Sequence, residues 1–144
     1  MTTTDQSAGP RDHAVARAMF DSDCASKALG IELVDLGAGH AQTTLTVTEA
    51  MVNGYGITHG GYVFLVADTT FALACNSYED SAVAARADIR YLRPTRVGDV
   101  LVATATERSR FGRNGLYDVT VTVGEQVVAE FRGDSRTIPA PPNR

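Results

Sequence analysis

The chain of 144 residues has no tryptophan, two cysteines, and a single lysine, Lys27, among its 13 basic residues. Cys24 and Cys75 stand alone and far apart. They form neither a disulfide framework nor the paired spacing of a zinc site, and both read as small buried hydrophobes of a reduced, cytoplasmic protein. Positions 1–9 are polar rather than basic and then apolar, so we expect no secretory signal. The longest apolar stretch, 63–75, is interrupted by Asp68, Thr69 and Thr70 and is too short to span a bilayer. The Gly-x-Ser-x-Gly elbow, the His-Glu-x-x-His pair, the phosphate-binding loop and the Gly-x-Gly-x-x-Gly turn are all missing. Serine hydrolases, zinc hydrolases, nucleoside triphosphatases and dinucleotide enzymes therefore lose their usual signatures.

What is present describes an ordinary soluble domain, 44% hydrophobic and 21% charged. A chain of this length can bury roughly 70% of the surface it exposes when unfolded. We expect one domain over 12–138, with loose ends at 1–11 and 139–144. The net charge of −4 argues against a nucleic-acid partner. It is also unevenly spread: positions 1–80 carry ten acids and three bases, for −7, and positions 81–144 carry seven acids and ten bases, for +3. All ten of those later bases are arginines, which suit bidentate recognition of phosphate or carboxylate.

Hydrophobic periodicity predicts a short amphipathic helix over 12–20, with an irregular extension over 24–29 that Gly30 stops. Strands are expected over 31–36 and 41–47, on either side of Gly37-Ala38-Gly39. A glycine-rich loop, Asn53-Gly54-Tyr55-Gly56-Ile57-Thr58-His59-Gly60-Gly61, follows. The stretch 62–77 is apolar on nearly every side, so a helix there would be buried all round. Four more strands are expected over 82–92, 99–109, 116–123 and 127–136, separated by Pro94 and Gly98, by 112–115, and by Gly124-Glu125. This order excludes a doubly wound fold. It predicts an α+β domain, an antiparallel sheet wrapped around one long central helix.

Asp68 is the anomaly in that helix. Its neighbours three and four positions away are Phe64, Leu65, Phe71 and Ala72, none able to pair with a charge. Burying an unpartnered carboxylate is costly or raises its pKa. An arginine from a distant strand would make it structural. The residues ahead of it point elsewhere: His59-Gly60-Gly61 opens the helix, where the first N–H groups lack intrahelical partners and the dipole favours negative charge. Glycines there let a carbonyl oxygen come close, as in an oxyanion hole. Gly60 and Asp68 are eight residues apart, about 12 Å along a helix at 1.5 Å per residue. Both cannot reach one small reacting group from a single helix. If they cooperate, two such helices run antiparallel across a two-fold axis, and a homodimer is the catalytic unit.

The series Asn53-Gly54, His59-Gly60-Gly61, Ala67-Asp68-Thr69 and Ala74-Cys75-Asn76-Ser77 resembles the hot-dog-fold acyl-CoA thioesterases, in particular the phenylacetate-degradation branch. The later segments Asp88-Ile89-Arg90-Tyr91-Leu92-Arg93-Pro94, Gly98-Asp99 and Gly115-Leu116-Tyr117-Asp118-Val119 continue the resemblance, which covers about 19–138. It implies hydrolysis of an acyl-CoA, phenylacetyl-CoA or hydroxyphenylacetyl-CoA foremost, by a homotetramer of paired dimers. No metal or cofactor is implied, since coenzyme A belongs to the substrate. By the same resemblance, Asp68 is the general base or nucleophile, and Gly60 the backbone donor to the thioester carbonyl. Asn53 positions water or the acyl group, and His59 is a catalytic residue that shapes the oxyanion turn; read without the resemblance, His59 is equally a structural helix cap. Gly61 belongs to the substrate-binding turn. Arg110 and Arg113, with Arg90, are the arginines expected to meet the phosphates of coenzyme A. Two other readings are a hot-dog hydratase or dehydratase, which would need a His–acid pair, and a non-catalytic acyl-CoA-binding module.

Overall fold

The computed structural model describes residues 13–139, so the segments 1–12 and 140–144, which hold nearly all of the expected loose ends, lie outside it. Helices α1 (Ala14–Asp21) and α2 (Cys24–Leu29) lead into strands β1 (Glu32–Gly37) and β2 (His40–Thr46). A single 3₁₀ turn, Glu49–Met51, and the glycine-rich loop precede helix α3 (Gly60–Cys75). Strands β3 (Ala82–Tyr91), β4 (Val100–Phe111), β5 (Asn114–Val123) and β6 (Gln126–Thr137) complete the chain. All six strands form one antiparallel sheet in the order β1-β2-β4-β5-β6-β3, wrapped around α3. This is the α+β hot-dog arrangement that the sequence led us to expect.

Period-two alternation places the core. On β5, Tyr117, Val119 and Val121 are buried while Leu116, Asp118, Thr120 and Thr122 are only half-buried, so odd positions face α3 and even positions face out. Two contacts fix α3 on that concave face. Thr70 Oγ1 donates to the carbonyl of Val66 at 2.6 Å and lies 2.7 Å from Thr43 Oγ1 on β2. Phe71 stacks against Tyr117 and Phe131, each ring centroid 5.7 Å away. A Cβ at Gly133 would lie 2.8 Å from the Phe71 ring, so the sheet must present bare backbone there.

Three expectations are corrected. The helix expected over 62–77 runs from Gly60 to Cys75. His59 caps its start, and Asn76 and Ser77 end it by turning their side chains back to the carbonyls of Ala72 (2.9 Å) and Ala74 (2.7 Å). Nor is the helix buried all round. Gly61 is exposed, and Phe64, Leu65, Asp68 and Ala72 are half-buried. Those positions, three and four apart, form one stripe along the helix. Finally, the turn expected over 112–115 is a two-residue hairpin, because Asn114 and Gly115 already pair with Phe111 and Arg110.

Candidate active site

The glycine-rich loop is built by Asn53. Its Oδ1 accepts from the backbone N–H groups of Tyr55 (2.9 Å) and Ile57 (3.3 Å), and its own N–H donates to the Ile57 carbonyl at 2.7 Å. This is the loop-closing use of an Asx side chain. The oxygen is thereby committed to the loop, and the Nδ2 amide group is left as the donor that can face a ligand.

The loop delivers His59 to the N-cap of α3, where its backbone is extended and its Nδ1 accepts from the Gly61 N–H at 3.0 Å. An accepting Nδ1 places the ring proton on Nε2. The Tyr62 N–H donates to the His59 carbonyl at 3.0 Å, and the His59 N–H donates to the Met51 carbonyl at 2.7 Å. Among the described residues this leaves the Gly60 N–H without a hydrogen-bond partner at the positive end of the helix dipole. Of the two glycines expected to serve the oxyanion turn, Gly60 therefore offers the open donor, and Gly61 spends its own on the cap. The structure also shows His59 in the capping role.

Asp68 lies two turns further along, on the half-open stripe. Among the described residues it makes no hydrogen bond or ion pair. Burial raises its pKa above the ordinary carboxylate value, and the negative charge of Asp23 raises it further. Asp23 caps α2 by accepting from the Ser26 N–H at 3.0 Å, and its second oxygen accepts from Ser26 Oγ at 2.6 Å. Ser26 Oγ also lies 2.8 Å from Thr69 Oγ1. The sequence did not single out Asp23, whose proximity to α3 depends on how α2 packs. The thiol of Cys75 is pushed up to about 12 by burial and by Asp68, consistent with an inert hydrophobe rather than a nucleophile.

The arginines are not gathered at this site within one chain. Arg113 donates through Nε and a terminal nitrogen to the Thr137 carbonyl (3.2 and 2.8 Å). Arg110 lies 3.7 Å above the Tyr78 ring, with Glu107 3.9 Å from its Nε. Both sit near the C-terminal end of α3, by the β4–β5 hairpin. Arg90 pairs with Asp88 at 3.6 Å on the outer face of the sheet, in a cavity of about 710 Å³ shared with Asp118, Glu130 and Arg132. Among the described residues no three His, Cys, Asp or Glu side chains converge as a metal site would require. His40 has a carboxylate partner, Asp35 at 3.2 Å, but on an exposed hairpin. No described helix is long and apolar enough to cross a membrane.

Comparisons with known proteins converge on one family. Residues 55–130 match the thioesterase superfamily. The chain is 45% identical over 124 residues to the acyl-coenzyme A thioesterase PaaI of Escherichia coli K12, covering 85% of this chain and 89% of that protein. It superposes on the solved structure of the E. coli PaaI protein from the phenylacetic acid degradation operon with a TM-score of 0.87 at 42% identity, covering 91% of this chain and 97% of that one. A Streptococcus mutans protein solved bound to acetyl-CoA is similar at a TM-score of 0.72 and 29% identity, over 75% of this chain and 88% of that one.

Proposed function

Since the chain belongs to the thioesterase superfamily, we propose that it hydrolyses aryl-acetyl-CoA thioesters, phenylacetyl-CoA or its ring-hydroxylated relatives, to the free acid and coenzyme A. Acyl-CoA thioesterase activity follows from the close likeness to PaaI. The aromatic acyl group rests on the pathway named for that relative. The observation that carries the mechanism is a half-buried Asp68, unpartnered among the described residues, on the same helix that Gly60 opens with an N–H likewise uncommitted among them.

The thioester carbonyl oxygen accepts from the Gly60 N–H, and negative charge grows on that oxygen as the carbonyl is attacked. Asp68 supplies the attack, either by taking the proton of a water or through its own oxygen to give an anhydride that water then opens. Collapse of the tetrahedral intermediate expels the coenzyme A thiolate, which takes up a proton. The raised pKa of Asp68 strengthens it as a base. In this reading Asn53 Nδ2 donates to the water or the acyl group. No resident cofactor or metal enters this scheme. Single turnover in ¹⁸O-water tests the nucleophilic route, since water that opens the anhydride at the Asp68 carbonyl carries label into that carboxylate and the general-base route never does.

The active unit in this reading is a dimer, with Gly60 from one copy facing Asp68 from the other and two dimers joined as a tetramer. Two features support it. The stripe through Phe64, Leu65, Asp68 and Ala72 is incompletely covered within one chain. The sheet also ends in β3, a ten-residue edge whose Val83, Ala84 and Ala85 are exposed, and such an edge is a template for another strand. The phosphates of coenzyme A fall to the arginines of the second half, Arg110 and Arg113 foremost, with Arg90 as a further candidate. An alanine substitution at an arginine that meets phosphate raises KM for acyl-CoA but not for an N-acetylcysteamine thioester of the same acid.

The deciding experiment is thiol release from a panel of aliphatic and aromatic CoA thioesters by the wild-type protein and Asp68→Ala. Fastest turnover on phenylacetyl-CoA and a loss of about 10²–10⁴-fold in the variant is expected. An Asp68→Ala enzyme that keeps full activity would falsify the mechanism.

A further inference from the structure

Tyr91 ends β3 with 55% of its surface exposed, so the core does not account for it. Its hydroxyl donates to the carbonyl oxygen of Gly60 at 3.0 Å. Its ring covers the same residue closely: a Cβ at position 60 would lie 3.0 Å from Tyr91 Cζ and 3.1 Å from its hydroxyl oxygen. Those distances are tighter than nine in ten real Cβ contacts, so a side chain at position 60 requires the Tyr91 ring to give by a few tenths of an ångström.

The hydrogen bond completes a set. The Gly60–Gly61 peptide is held by its oxygen through Tyr91 and by its N–H through His59 Nδ1. The preceding peptide is held by its oxygen through the Tyr62 N–H. Among the described residues only the Gly60 N–H of this turn remains open. Two adjacent glycines carry more conformational freedom than any other pair, and without such restraints this turn would rotate its donor away. The segment that follows Tyr91 is itself fastened to the loop. The Thr58 N–H donates to the Thr95 carbonyl at 2.8 Å, and Thr95 Oγ1 donates to Thr58 Oγ1 at 2.6 Å.

We propose that Tyr91 is a positioning residue of the thioesterase reaction: its hydroxyl fixes the Gly60 carbonyl and thereby aims the Gly60 N–H at the developing oxyanion. The proposal rests on the reading of Gly60 as the oxyanion donor. Tyr91 acts through Gly60 and takes no proton, so its influence is confined to the transition state and leaves substrate binding alone.

The test is Tyr91→Phe, which keeps the ring and removes the hydroxyl. In thiol-release kinetics kcat should fall about five- to tenfold, the equivalent of one neutral hydrogen bond, with KM and melting temperature unchanged. Wild-type kcat in the variant, or a fall in kcat matched by a lower melting temperature, would overturn the assignment while leaving the thioesterase reading intact. A second readout stands apart from turnover. In protein labelled with ¹⁵N-glycine, the Gly60 amide signal should shift and exchange faster in Tyr91→Phe, and an unchanged signal would overturn the proposal. If the wild type released no thiol, the functional reading would fail and the amide signal alone would decide whether Tyr91 holds the turn.

Discussion

The two ends of α3 treat polar groups in opposite ways. At the C-terminal end nothing is left over. Asn76, 3% exposed, donates to the carbonyls of Ala72 and Ala82 and accepts from the Ala82 N–H at 2.8 Å. Ser77, 2% exposed, donates to Ala74 and accepts from the Gly39 N–H at 2.7 Å, and its carbonyl lies 2.8 Å from His13 Nδ1. In the N-terminal half, one backbone donor and one carboxylate have no partner among the described residues. Native proteins satisfy nearly all buried polar groups, so an end that is satisfied reads as architecture and an end that is not reads as a site held open for a ligand. The Asn76-Ser77 pair and the Gly60–Asp68 pair thus carry family-like motifs for different reasons, one binding the helix to β3 and the other left open for the chemistry proposed above.

If the contrast holds, substitutions at the two ends should fail in different ways. The largest effect is Asp68→Asn, which should cut kcat about 10²–10⁴-fold without destabilising the fold. The folded-state pKa of Asp68 is raised, so its ionised form is a burden at neutral pH and wild-type stability rises as pH falls through that pKa. The variant should melt no lower than wild type at pH 7, and the gap should close in acid. A variant that unfolds would mean Asp68 belongs to the architecture.

Next comes Asn76→Ala, with the opposite signature. It strands the buried N–H and carbonyl of Ala82 and should cost about 2–3 kcal/mol by denaturant titration, with kcat per folded molecule retained. The smallest effect is Asp23→Asn. Asparagine caps a helix as well as aspartate, so α2 should persist while the charge that helps raise the Asp68 pKa disappears. The acid limb of the pH–kcat profile should move to lower pH, and an unmoved limb would remove Asp23 from the account.

The sequence made the site legible where its signal was local. A charge among Phe64, Leu65, Phe71 and Ala72, and a glycine pair at a helix start, are local anomalies, and the helix that joins them formed, two residues nearer the N-terminus than expected at each end. Strand alternation likewise placed β2 and β5, and even the hairpin at Gly124. What stayed hidden was non-local. Tyr91 meets Gly60 across 31 positions of chain, and no periodicity announces that contact. Hydropathy could not show that the face of α3 bearing Asp68 is only half covered, because an apolar side chain reads alike whether its own sheet or another chain covers it. The contacts that the arginines make stayed hidden for a similar reason. Arg113 and Arg110 are visible as charges, but not as groups already committed to the Thr137 carbonyl and the Tyr78 ring.

The account's central claim, that Gly60 and Asp68 act together from different chains, is tested most directly by co-expressing two inactive variants. Asp68→Ala removes the base. Gly60→Pro removes the open N–H at a first-turn position where proline is tolerated and where His59 is already extended. In a hybrid dimer of the two, one shared site carries both defects and the other carries neither. Random mixing makes half the dimers hybrids, so thiol release should recover to about a quarter of the wild-type rate. Activity no higher than that of either variant alone, with hybrids confirmed by mass spectrometry, would contradict a shared site.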